Sequence, residues 1–239
     1  MMNTFNEMFC KYKLSIVSIT VKLPNDDHSI GTGFHIGKGY IVTARHVIEN
    51  NSVEEVSDYY SEKVSIKRIY YPKDHKVDLA ILESDFSSIF NIISNFQNNE
   101  IKKLDYIEIG SHLDDWISDD DFVMTNVLLM GFPPIPFSKT PNLVAVKGEV
   151  NAIIDKYNGP FAHFIISSVP RGGFSGGPVI SENGFLLGVL TESLCNQDLP
   201  AEVGFASVIS IEPLIDLIYS NRLNIGDQLN FIKEFFGTE

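Results

Sequence analysis

Apolar and polar positions alternate in short segments along most of the chain, and the period changes only near its end. Leu14 to Leu23 is rich in β-branched residues and stops at Pro24, which predicts a strand followed by a turn over Pro24–Asp27. Gly31–Ile36 and Gly39–Thr43 flank Gly37-Lys38-Gly39, the pattern of a hairpin. Ala44–Ile48 leaves that hairpin as a short helical turn. Val64–Tyr71 alternates, and Val77–Leu82 is an apolar run broken by one acid, Asp78. Further strands are expected at Phe122–Met130, Leu143–Val150, Ala162–Ser168, Pro178–Ser181, Phe185–Thr191 and Val203–Val208. Past Ser210, the residues Ile211, Leu214, Ile215, Leu217 and Ile218 share one helical face. Ser210 is expected to cap that helix, and Pro213 falls in its tolerant first turn. Gly226 and Asp227 then separate a last short helix carrying Leu229, Ile232, Phe235 and Phe236.

Two stretches interrupt this regularity. Residues 86–105 place Phe86, Ile89, Phe90, Ile93 and Phe96 at roughly helical spacing among serines and asparagines, and read as an insertion. Asp114–Asp121 is the most acidic stretch, but it lacks the central glycine and terminal glutamate of a calcium loop, so a solvated linker is expected and no metal. No solenoid repeat is present. The acidic stretch divides two strand-rich halves, and the expected organisation is an N-terminal β-barrel over 1–118, a second β-barrel over 119–209 and helices over 210–239.

Composition narrows the partners. The chain has 239 residues, 44% hydrophobic and 21% charged, enough to bury a sizeable core. Its formal charge of -13 argues against nucleic acid or an anionic membrane as partner. No basic segment followed by an apolar one opens the sequence, and no run is long enough to cross a bilayer. Cys10 and Cys195 are the only cysteines, which does not suggest a disulfide framework. A cytoplasmic protein is expected.

The most unusual segment is Arg171-Gly172-Gly173-Phe174-Ser175-Gly176-Gly177-Pro178, with four glycines in six positions around one serine. Such glycine density implies positive φ or a close approach to another group. Alone, the segment fits a turn serine as well as a nucleophile loop. A serine nucleophile needs a base, and all six histidines (His28, His35, His46, His75, His112 and His163) precede Ser175. That order excludes the α/β-hydrolase elbow, whose histidine follows its serine. The subtilisin order of aspartate, histidine, serine would make Asp26 or Asp27, in a turn, the partner of His46 and is not expected, which leaves the order histidine, aspartate, serine. His46 stands at the end of a predicted strand, and Asp78 lies within an apolar run where a carboxylate needs a partner. The three residues then divide the work as proton carrier, orienting acid and nucleophile. No H-E-x-x-H or Cys-x-x-Cys pattern supports a metal-dependent hydrolase, and no cofactor is expected.

Thr43-Ala44-Arg45-His46, Asp78-Leu79-Ala80-Ile81-Leu82 and Gly173-Phe174-Ser175-Gly176-Gly177-Pro178 resemble the three signature segments of the chymotrypsin-like (trypsin-like) serine peptidases. Gly31-Thr32-Gly33-Phe34, Gly39-Tyr40-Ile41-Val42-Thr43 and Val203-Gly204-Phe205-Ala206 are similar to segments of the bacterial HtrA-type branch, here without a PDZ domain. The resemblance implies an all-β fold of two chymotrypsin-like six-stranded β-barrels with a C-terminal helical segment. It implies a serine endopeptidase acting on a protein or peptide substrate through an acyl-enzyme intermediate, with His46, Asp78 and Ser175 as the triad and an oxyanion hole from the N–H groups of Gly173 and Ser175. The competing reading is a non-catalytic peptide-binding module on the same fold.

By motif matching, Val169, Thr191, Glu192, Ser193 and Gly204 bind substrate, and the Thr191 hydroxyl is expected to reach Asp78. Val169 at the pocket base suggests a small or apolar side chain before the scissile bond, whereas Glu192 at the rim favours a basic one nearby. Phe174 replaces the acid or amide usual before the nucleophile, so activation by a new N-terminus is not expected. An activating protein partner that orders the oxyanion hole is the alternative.

Overall fold

The computed structural model describes residues 5–86, 106–109, 122–156, 159–168, 172–184, 186–195 and 202–228, with the backbone alone at 193–195 and 202–203. The expected insertion beyond Phe86, the acidic stretch, Val169 and the last helix lie outside the described residues. Two six-stranded sheets carry the fold. In the first, β1 (Ile16–Lys22), β2 (His28–Gly37), β3 (Tyr40–Thr43), β4 (Ser52–Ser57), β5 (Ile66–Tyr70) and β6 (Ala80–Ser84) are ordered β4-β1-β2-β3-β6-β5. The bridge Ser57↔Lys63 and the hydrogen bond from Val64 N–H to the Val56 carbonyl (2.8 Å) draw its two edges together. In the second, β7 (Asn126–Gly131), β8 (Val144–Asp155), β9 (Ala162–Ile166), β10 (Pro178–Ser181), β11 (Leu186–Cys195) and β12 (Glu202–Ser210) form a closed barrel in the order β10-β11-β12-β9-β8-β7. Every strand pairing is antiparallel, as expected of an all-β fold of two barrels.

Period-two alternation explains why the strands of the first sheet are apolar on both faces. Val17, Ile19 and Val21 of β1, Ile41 of β3, and Ala80 and Leu82 of β6 fill its inner core. Their neighbours Ile16, Val42 and Ile81, with Phe34 and Ile36 of β2, turn the other way into a cluster shared with the closed barrel. The registers Ile41↔Leu82 and Val42↔Ile81 keep the two sets apart, since a one-residue slip would exchange them.

Among the described residues, three α-helices frame the sheets: α1 (Phe5–Tyr12), α2 (Arg45–Ile48) and α3 (Glu212–Ser220). Neither α1 nor β4 is among the elements read from the sequence. Ser210 does not cap α3. Ile211 occupies the cap position with no side-chain bond, and the Ser210 hydroxyl instead meets the Glu212 carboxylate, whose proximity draws it from the backbone amides. Pro213 sits in the first turn, where its missing N–H costs nothing.

Candidate active site

His46 owes its position to the end of β3. Thr43 closes the strand, Ala44 has an extended backbone, and α2 begins at Arg45. Asp78 lies just before β6, flanked by the fully covered Val77 and Leu79. Its two carboxylate oxygens grip His46 twice: one accepts the backbone N–H at 2.9 Å and the other meets ring Nδ1 at 2.7 Å. The sequence suggested a buried carboxylate, but Asp78 keeps 30% of its side chain exposed and His46 keeps 49%. Asp78 precedes the strand proper, so its side chain faces the rim and not the core. Burial pulls the His46 pKa down. The hydrogen bond and charge of Asp78, with a smaller contribution from the charge of Glu192, outweigh that and hold it above its ordinary value.

The other described histidines are engaged elsewhere. His28 pairs with Glu54 at the surface (2.9 Å), and His75 meets Arg45 (3.0 Å). His35 is buried, accepts the Gly39 N–H at 2.9 Å and is pushed down to about 3 by desolvation. His163, buried on β9, meets the Phe161 carbonyl and is lowered first by burial and then by the charge of Lys156. His112 lies outside the described residues.

Ser175 sits on a tight turn between the barrels. The Gly177 N–H donates to the Phe174 carbonyl at 2.8 Å, and Gly176, at the third position of that turn, has φ +86°, a value suited to glycine. A Cβ on Gly176 would lie 2.3 Å from Thr43 Oγ1 and 2.7 Å from the Ala44 nitrogen. The Ser175 loop therefore abuts the segment that feeds His46. No hydrogen bond joins Ser175 to His46 among the described residues. Gly173 also has positive φ, +98°, and a Cβ there would meet the Phe132 carbonyl oxygen at 2.4 Å. Among the described residues, nothing accepts the N–H of Gly173 or Ser175. Phe174 is buried against the end of β7, where a Cβ on Gly131 would come within 2.7 Å of its ring.

The sequence profile of the trypsin-like peptidase domain matches residues 31–189, more than half of the chain. The chain belongs to the trypsin-like peptidase family. No curated protein sequence matches it. Among solved structures it is similar to the Rv3671c protease from M. tuberculosis in its active form, at 20% identity and TM-score 0.64, covering 92% of this chain and 85% of that one. It is also similar to the serine endoprotease from Yersinia pestis, at 18% identity and TM-score 0.61, with 91% and 66% covered. The HtrA-type protease AlgW with tripeptide gives 17% identity and TM-score 0.63, covering 91% of this chain and 63% of its own length. Family and fold together support a serine peptidase.

Within this peptidase fold the remaining site residues are distributed unevenly. Thr191 is buried on β11, but its hydroxyl donates to the Ser207 carbonyl (3.1 Å) and not to Asp78. The pairing of β11 with β12 shifts register between Leu190 and Glu192, which leaves Thr191 facing that carbonyl. Glu192 is exposed and pairs with Lys156 of the segment ending β8, so its charge is partly offset. Ser193 is paired with Ala206, and Gly204, at φ +88°, has open space where a side chain would be.

Two residues that motif reading passed over support the site. Arg45 is buried, with only 5% of its side chain exposed, and donates to Glu49 (2.9 Å) and to the carbonyls of Pro72 (3.4 Å) and Asp74 (3.2 Å). It thereby ties α2 to the loop that leads into Asp78. A cation inside an otherwise apolar strand end was the available signal. Thr32, the second, joins β2 to the loop that carries Ser175.

Proposed function

We propose that this chain is a serine endopeptidase that hydrolyses peptide bonds of a protein substrate through an acyl-enzyme intermediate. His46 is the general base, Asp78 orients it and Ser175 attacks the carbonyl. The observation that carries the reading is the double grip of Asp78 on His46. With Nδ1–H committed to the carboxylate, Nε2 is left as the proton acceptor, and the imidazolium formed during attack is stabilised by the same carboxylate. As the carbonyl becomes tetrahedral, its oxygen takes up charge, and the uncommitted N–H groups of Gly173 and Ser175 are the donors that would receive it. Protonated His46 then returns the proton to the leaving amine, and water repeats the sequence to release the acid.

The acyl-side residues of the substrate would pair along β11 beside Thr191 and Glu192. The Lys156–Glu192 pair weakens the case for a basic side chain there, and a small or apolar residue before the scissile bond is the preference we assign. A peptide library reads both activity and preference. Wild type is expected to cleave after small or apolar residues, and Ser175→Ala to lose about 10⁶ in turnover. Cleavage that persists in Ser175→Ala would overturn the nucleophile assignment. Binding without cleavage by the wild type would favour the peptide-binding module instead.

A further inference from the structure

Thr32 is fully buried in β2, where the first sheet meets the loop that carries Ser175. Its hydroxyl donates to the Gly173 carbonyl at 2.6 Å and accepts the Phe132 N–H at 3.0 Å. Its backbone N–H donates to the Ser175 carbonyl at 2.9 Å, and its own carbonyl accepts the Thr43 hydroxyl at 2.7 Å. One residue of the first sheet therefore holds the carbonyls on both sides of Phe174.

The consequence follows from peptide planarity. Fixing a carbonyl fixes the N–H on the other side of the same rigid plane. The Phe174 carbonyl is held by Gly177 N–H, which sets the Ser175 N–H, and the Ser175 carbonyl is held by Thr32 while Gly176 N–H donates to Leu190 at 2.8 Å. The Gly173–Phe174 plane, which carries the Phe174 N–H and links the plane of the Ser175 N–H to the Gly173 Cα that bears the other donor, is held through its carbonyl by the Thr32 hydroxyl. Glycine at φ +98° has no Cβ to restrict it, so the orientation of this plane depends on an external clamp. The Phe132 N–H occupies an acceptor position of the hydroxyl, which directs its single proton at Gly173. A β-branched side chain supplies that donor with little rotamer freedom.

We propose that the Thr32 hydroxyl, by fixing the Gly173–Phe174 plane that lies between them, is a positioning group for the oxyanion-binding N–H groups of Gly173 and Ser175, acting from the opposite barrel. The proposal rests on the serine-peptidase reading above. Thr32→Val keeps the shape and removes the hydroxyl. With a fluorophosphonate probe, whose phosphoryl oxygen occupies the same hole, labelling of Ser175 is expected to slow by about 10²-fold. Thr32→Ser is expected to restore the rate to within a few-fold. Amide hydrogen exchange in Thr32→Val is expected to rise across 172–177 and to stay unchanged in both sheets.

Unchanged labelling, an equal loss in Thr32→Ser, or faster exchange throughout both sheets would each overturn the proposal, the last two by assigning the residue to packing. If Thr32→Val does not fold, Thr32→Cys supplies a weaker donor of similar size, and labelling as fast as wild type would then count against the clamp. Failure of the underlying reading looks different: wild type would take no label, while Thr32→Val would still loosen 172–177.

Discussion

At the residue scale, the His46–Asp78 pair sets how activity and stability respond to pH. In the proposed mechanism His46 must be neutral to accept the Ser175 proton, and its pKa lies above the ordinary 6.5. Activity is therefore expected to rise with pH through a midpoint above 6.5. The sign for stability is opposite. A histidine raised in the folded state contributes stability that is complete below its unfolded pKa and is lost as pH rises through the folded one. The pair is thus expected to add least to stability in the pH range where the proposed activity is highest. Asp78→Asn should move the kcat/KM midpoint down and lower turnover by about 10⁴. Glu192→Gln should move the midpoint in the same direction with a much smaller loss, because only a through-space charge is removed. A pH profile of kcat/KM for the three proteins checks this, and an unmoved midpoint in Asp78→Asn would contradict it. The contact of His46 with Asp78 was legible because each residue sits in a short contiguous motif. The partner of the Thr191 hydroxyl was not, because it depends on a register shift between β11 and β12 that no local pattern records.

At the element scale, the end of β7 acts as the floor under the loop that carries Ser175. Gly131 pairs with Val144 on β8, and its missing side chain admits Phe174, whose ring and Cα lie 2.7 and 2.9 Å from where a Cβ would be. The backbone at Phe174 cannot retreat, since its carbonyl is tied to Gly177 and the carbonyls on either side are tied to Thr32. Gly131→Ala is expected to displace Phe174 and with it Ser175, lowering kcat strongly and stability by about 1–3 kcal/mol. Urea unfolding and steady-state kinetics on the variant read the two effects separately, and full activity would show that the loop tolerates the shift. Strand positions were largely readable from short apolar segments bounded by turn residues, as β2, β3 and β10 illustrate. β4 was missed because Ser52–Ser57 is an edge strand with polar, solvent-facing residues at alternate positions and no apolar run. The helix α1 did carry a signal, since Phe5, Met8, Phe9 and Tyr12 fall at i, i+3, i+4 and i+7, with Met8 and Tyr12 buried. That signal is short, and tertiary packing decides such cases.

At the scale of the whole molecule, each end of the described chain crosses to the other barrel. The Tyr12 hydroxyl of α1 reaches the Gly184 carbonyl (2.9 Å) and Glu108 (3.1 Å), and Lys11 pairs with the same glutamate (3.1 Å). In the opposite direction, the segment after α3 returns to the first sheet. A Cβ on Gly37 would lie 2.5 Å from the Ile225 carbonyl. The buried Gln228 donates to the Ile36 carbonyl (2.7 Å) and the Ile107 carbonyl (3.3 Å) and accepts the Ile109 N–H (2.7 Å). Because the proposed triad is divided between barrels, with His46 and Asp78 on one and Ser175 on the other, these two crossings are expected to bear on activity as well as on stability. Gln228→Leu keeps much of the volume but leaves buried backbone groups unpaired, at about 1–3 kcal/mol for each group left without a partner. Its unfolding midpoint in urea should fall accordingly. The loss should also be transmitted to the site, because a loosened crossing lets the barrels shift relative to each other. Labelling of Ser175 by an active-site serine reagent should therefore slow even well below the unfolding midpoint. A variant that is destabilised yet labels at the wild-type rate would show that the Thr32 and Gly176 contacts hold the barrels in register by themselves.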